Sequence, residues 1–136
     1  MKTFLKLSPI ILLAFLFSFN KVNAQTADPD SVFDKVEVEA SFPGGPAAWS
    51  QYISRKIQNN LMKLNTKDYG TCIVKFIVDK NGKISNVEAV TMKKSELAKI
   101  LMRAIRNGPH WIPAQQNGKT VNAYRLQPVT ITQPDK

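Results

Sequence analysis

The chain has 136 residues, enough for one domain with a short appendage and too few for two. Lys and Arg number 19 against 10 Asp and Glu, giving a net charge of +9. One Cys and one His exclude a disulfide framework, a cysteine-caged zinc or iron–sulfur site and a multi-histidine metal site. No glycine-rich phosphate loop of the G-x-x-x-x-G-K or G-x-G-x-x-G form occurs.

Residues 1–24 read as an address. Lys2 and Lys6 precede an apolar run over residues 7–19, and Val22 and Ala24 occupy the −3 and −1 positions of a small-residue cleavage site. That order is the pattern of a secretory signal peptide. The run is shorter than the roughly 20 apolar residues a spanning helix needs. Loss of Lys2, Lys6 and Lys21 would leave 112 residues carrying +6. In an exported chain such a charge suits anionic lipid, cell-wall polymer or an acidic protein surface better than nucleic acid. Residues 25–40 form a leader, polar at first. Val32, Phe33, Val36 and Val38 then alternate with polar residues as a short strand or extended segment does.

Phe42-Pro43-Gly44-Gly45-Pro46 is a turn, and Pro46 suits the start of a helix. Trp49, Tyr52, Ile53, Ile57 and Leu61 recur at helical spacing over residues 46–61. Lys56 intrudes on that arc and has to snorkel. Residues 71–79 are the clearest strand: Cys72, Val74, Phe76 and Val78 share one face and Thr71, Ile73, Lys75 and Ile77 the other. Lys80-Asn81-Gly82-Lys83 turns the chain back into residues 84–91, where the broken spacing of Ile84, Val87 and Ala89 predicts a bulge.

Residues 95–106 form the best helix, capped by Ser95, with Leu97, Ile100, Leu101, Ala104 and Ile105 as its apolar stripe. Asn107-Gly108-Pro109 ends it. Residues 110–119 read as a loop containing Trp111. Residues 121–132 form a last strand that Pro128 marks as an edge, at least locally. The expected architecture is α+β, with two helices packed on a small, mostly antiparallel three-stranded sheet.

The Phe42-Pro43-Gly44-Gly45 turn before a helix, Phe76-Ile77-Val78-Asp79-Lys80-Asn81-Gly82 on a hairpin, and Trp111-Ile112-Pro113-Ala114 with Asn117-Gly118-Lys119 before a strand with Pro128 resemble the TonB C-terminal domain. The similarity runs over residues 36–132, within a domain at residues 41–132 followed by a tail at 133–136. It implies a periplasmic protein-interaction domain that binds the N-terminal TonB box of outer-membrane TonB-dependent transporters by strand addition. The activity implied is energised nutrient or siderophore import. By order in the chain, the peptide-pairing strand falls on Val121, Asn122, Ala123, Tyr124, Arg125, Leu126 and Gln127. Full transducers of the family carry an uncleaved membrane helix, a Pro-rich spacer and a Tyr-Pro pair. Here the leader reads as cleavable, and residues 61–70 lack the pair. Coupling to inner-membrane motor proteins is therefore expected only where the leader is retained as an anchor. A homodimer formed by strand exchange stays open.

The remaining chemistry-bearing residues have simpler readings. Cys72 is a buried small hydrophobe, His110 a loop residue, Ser95 a helix cap, and Trp49 and Trp111 core aromatics. No catalytic constellation, metal site or cofactor site is expected. Lys99, Arg103 and Arg106 line one face of the second helix. They offer an alternative function, a free envelope module binding anionic surfaces.

Overall fold

A computed structural model describes residues 28–135. The predicted signal peptide, residues 25–27 of the leader and Lys136 lie outside the described residues. In chain order come β1 (Val32–Phe33), α1 (Gly45–Gln58), two single 3-10 turns at Leu61–Lys63 and Thr66–Asp68, and β2 (Gly70–Val78). They are followed by β3 (Ile84–Ala89), α2 (Glu96–Arg106), β4 (Ala114–Gln116) and β5 (Lys119–Ile131). No helix among the described residues is long and apolar enough to cross a membrane.

The expected α+β architecture is present, with β2, β3 and β5 as an antiparallel centre. The sheet nevertheless has five strands and not three. β1 pairs in parallel with Asn122 and Ala123 of β5. β4 forms a hairpin with Lys119, Thr120 and Val121. The second Asn-Gly, Asn117-Gly118, is the turn of that hairpin, with φ at +51° and +73°. The stretch read as a loop thus contains a strand, and the last strand begins two residues earlier. The first helix stops at Gln58, where the Asn59-Asn60 pair already weakens the pattern.

The alternation in β2 does what it predicts. Cys72, Val74, Phe76 and Val78 have no exposed surface and lie under the helices. α2 meets them with Leu97, Ala98, Ile100, Leu101, Ala104 and Ile105, while α1 buries only Trp49 and Ile53. The Tyr52 hydroxyl donates to the Ala104 carbonyl oxygen at 2.7 Å and ties the two helices together. Lys56 places its ammonium 5.2 Å from the Tyr52 ring centroid, as a snorkelling lysine can. The expected bulge falls opposite Phe76, where the β2–β3 register shifts and Asn86 adopts φ +51°.

Two of the sequence motifs become contacts. Gly44 stands at φ +87° and closes the turn into α1, with Gly45 N–H donating to the Phe42 carbonyl. Phe42 then packs on Trp49, Tyr52 and Trp111 at centroid distances of 5.1–5.8 Å. Gly82 at the β2–β3 turn accepts from the Trp111 N–H at 2.9 Å, and a Cβ there would lie 2.2 Å from the Trp111 carbonyl oxygen. Asp79 holds the same turn by accepting from the N–H groups of Asn81 and Lys83. The hairpin and tryptophan motifs are therefore one packed unit.

Candidate functional site: the outer edge of β5

In an antiparallel ladder the N–H and C=O of one residue point to the same side, and the next residue's point to the other. Ile73 commits its N–H to the Thr91 hydroxyl and its C=O to the Val90 N–H, both on the β3 side. Its β5 partner Pro128 therefore directs its own backbone away from β2, and its missing N–H costs the β2–β5 ladder nothing. The register from Ile131 to Ala123 runs without a shift. Tyr124, Leu126 and Thr130 accordingly turn N–H and C=O outward, and Pro128 only its C=O.

The predicted binding residues divide along this edge. Val121 is paired with Ala114 of β4, and Asn122 and Ala123 already carry β1. Asn122 also accepts from the Lys80 N–H through its side chain. Tyr124, Arg125, Leu126 and Gln127 pair only with β2, so among the described residues no strand covers the outer edge from 124 to 131. Gln127 Nε2 donates to the Pro128 carbonyl at 3.4 Å, which blunts the edge just beyond Leu126.

The two sides of the strand differ. Tyr124 and Leu126 lie on the open face with their partners Ile77 and Lys75. Lys75 Nζ sits 4.1 Å from the Tyr124 ring centroid, and Leu126 is 53% exposed. Arg125 and Gln127 share the helix side with Phe76 and Val74. Arg125 Nη1 donates to Glu39 at 3.2 Å and Nη2 to Gln127 at 3.4 Å, while its Nε is buried with no acceptor among the described residues. The Glu39 partner comes from the leader, where sequence reading saw only an extended segment.

The opposite sheet edge, β3, is closed to the same use. The bulge at Asn86 breaks its line, and Arg106 Nη2 donates to the Val87 carbonyl at 3.0 Å. The predicted basic surface is correspondingly divided. Lys99 pairs with Glu96 at 2.6 Å, Arg106 serves the β3 edge, and Arg103 alone stands exposed without a hydrogen bond among the described residues. Cys72 is fully buried, and burial pushes its thiol pKa up.

Sequence reading missed Asp68, which is 1% exposed. Its carboxylate accepts from the Asn65 N–H at 2.8 Å and from the Leu97 N–H, in the first turn of α2, at 3.2 Å. The signal was present as Asn65-x-x-Asp68, a capping box with an acid at its third position.

A sheet with one edge blunted and the other open can take an added strand, as protein-interaction domains do. Residues 64–130 match the family described as Gram-negative bacterial TonB protein C-terminal, and this part of the chain belongs to that family. No curated protein and no solved structure gives a significant match. The family's domains are protein-interaction modules of the periplasm.

Proposed function

We propose that the domain captures the extended N-terminal TonB box of an outer-membrane TonB-dependent transporter on the outer edge of β5. In this reading the chain is exported by a leader cut after Ala24, works in the periplasm and serves nutrient or siderophore import. The supporting observation is the contrast between the two edges: β3 is closed by its bulge and Arg106, whereas Tyr124 and Leu126 present unpaired backbone groups. Backbone pairing gives affinity with little demand on sequence, which suits one adaptor serving several transporters. β1 limits the pairing window on one side, and Pro128 with Gln127 limits it on the other. The window centres on Tyr124, Arg125 and Leu126, shorter than the span from Val121 to Gln127.

Leu126→Pro tests this reading. The Leu126 N–H points outward, so proline removes a docking donor while leaving the β2–β5 ladder intact, as Pro128 already does. One lost hydrogen bond of about 1 kcal/mol corresponds to roughly fivefold in Kd, before any steric effect of the ring. Binding of transporter N-terminal peptides should weaken at least that much, with thermal stability retained. Unchanged affinity in a folded Leu126→Pro protein would reject strand addition at this edge.

A further inference from the structure

A cleft of about 110 Å³ lies on the helix side of the open edge, between β5 and the start of α1. Phe42, Pro46, Trp49 and Trp111 supply its apolar walls, Ser41 one side, and Arg125 with Gln127 its floor. Residues directly opposite one another on neighbouring strands project to the same face. Arg125 and Gln127 project toward the helices, so residues of an added strand that oppose them do too, beneath the first turn of α1.

We infer that this cleft is a side-chain pocket for the captured strand, built to take one branched aliphatic residue of about valine size. The inference rests on strand addition at β5 and names what that site selects. Size sets the first limit. The cleft is smaller than the roughly 150 Å³ apolar cavity that just holds benzene, and far larger than the roughly 30 Å³ share of one water. An aromatic ring would have to displace Phe42 or Trp111, which brace each other edge-on at 5.8 Å. Charge sets the second limit. Arg125 lines the cleft and already engages Glu39, so a lysine or arginine from the peptide would bring a second positive charge beside it with no acid among the lining residues to pair it. The F-P-G-G turn thereby gains a use beyond folding, because it places Phe42 and Pro46 at the mouth of the pocket.

Both tryptophans of the chain line this cleft, so their indole signals report its occupancy. The experiment uses the isotope-labelled protein and N-terminal peptides of outer-membrane transporters from the same cell. Every second peptide residue is changed in turn to Val, Gly or Lys. Binding should shift the Tyr124 and Leu126 amides and both indole N–H signals. At one position Val should bind about tenfold or more tighter than Gly, the range expected for burying such a side chain, and Lys should abolish binding. Ser41→Leu, which fills the cleft from its side, should erase the difference between Val and Gly peptides. Should Ser41→Leu fail to fold, the peptide series on the unaltered chain decides alone. Amide shifts at 124 and 126 with silent indoles and equal Val, Gly and Lys affinities would overturn the pocket and leave strand addition standing. No shift at 124 or 126 with any peptide would overturn both.

Discussion

Replacing Asp68 by alanine should be among the most damaging single changes in this domain, although Asp68 sits in a 3-10 turn that touches no proposed binding surface. Its carboxylate is the acceptor for two backbone N–H groups, at Asn65 and Leu97. The Leu97 donor is buried, so losing a charge-assisted partner there costs about 1.5–3 kcal/mol. The anion also stands at the N-terminal end of α2, where its removal forfeits roughly 0.3–1 kcal/mol more. The Asn65 N–H lies nearer solvent and regains water, adding only about 0.5 kcal/mol. The total of about 3 kcal/mol is a large share of the 5–15 kcal/mol typical of a domain, and should lower Tm by roughly 10–20 °C. Thermal unfolding followed by tryptophan fluorescence measures it directly. Asp30→Ala, at an exposed acid, is the control and should move Tm by only about 1–2 °C. An Asp68→Ala protein melting within about 2 °C of the parent would show that neither N–H depends on this carboxylate.

Four further outcomes are expected. Gly82→Ala forces a Cβ to within 2.2 Å of the Trp111 carbonyl at φ +84°; it should cost about 2–4 kcal/mol and lower the urea midpoint, and an unmoved midpoint would dissociate the hairpin tip from the tryptophan loop. Tyr52→Phe removes the 2.7 Å bond between the helices and should cost about 1 kcal/mol by the same assay, with no loss meaning that water replaces the hydroxyl. Burial raises the pKa of both the Cys72 thiol and the Tyr52 phenol, so the folded state favours their neutral forms. Stability should therefore be full below the ordinary thiol and phenol pKa values and fall as pH climbs past them. Iodoacetamide should label Cys72 only as fast as the domain opens, and rapid labelling of the native protein would contradict its burial.

What was legible in the sequence was what strong periodicity writes. The β2 alternation, the α2 stripe, the Ser95 cap and the bulge in β3 each follow from side-chain spacing, and the structure carries all four. β1 was legible only as a short strand or extended segment within residues 32–38, and β4 not at all, because a three-residue strand is too short to show a period. Their existence depends on the outer and inner edges of β5, which only the folded chain supplies. Asp68 was hidden for the opposite reason: a polar residue in a polar run looks like loop until its acceptor oxygens are seen on a distant helix. The candidate site was half visible. Pro128 marked the strand as an edge, yet which residues of it stay open was decided by β1, whose place on Asn122 and Ala123 the sequence does not show.

The long pairing between β2 and β5 bears on how the chain reaches this structure. β2 and β3 are neighbours in sequence and can zip as soon as their turn forms, whereas β5 must close a loop that holds all of α2. Until it does, one flank of β2 is bare, and Cys72-Ile73-Val74-Lys75-Phe76-Ile77-Val78 is the kind of apolar, β-prone run that nucleates association between chains. The thirteen residues of β5 are the cover for that flank. A chain cut short before Val129 would leave Cys72, Thr71 and Gly70 without partners and should aggregate. A strand proposed to receive a partner on one side thus first protects the molecule from itself on the other.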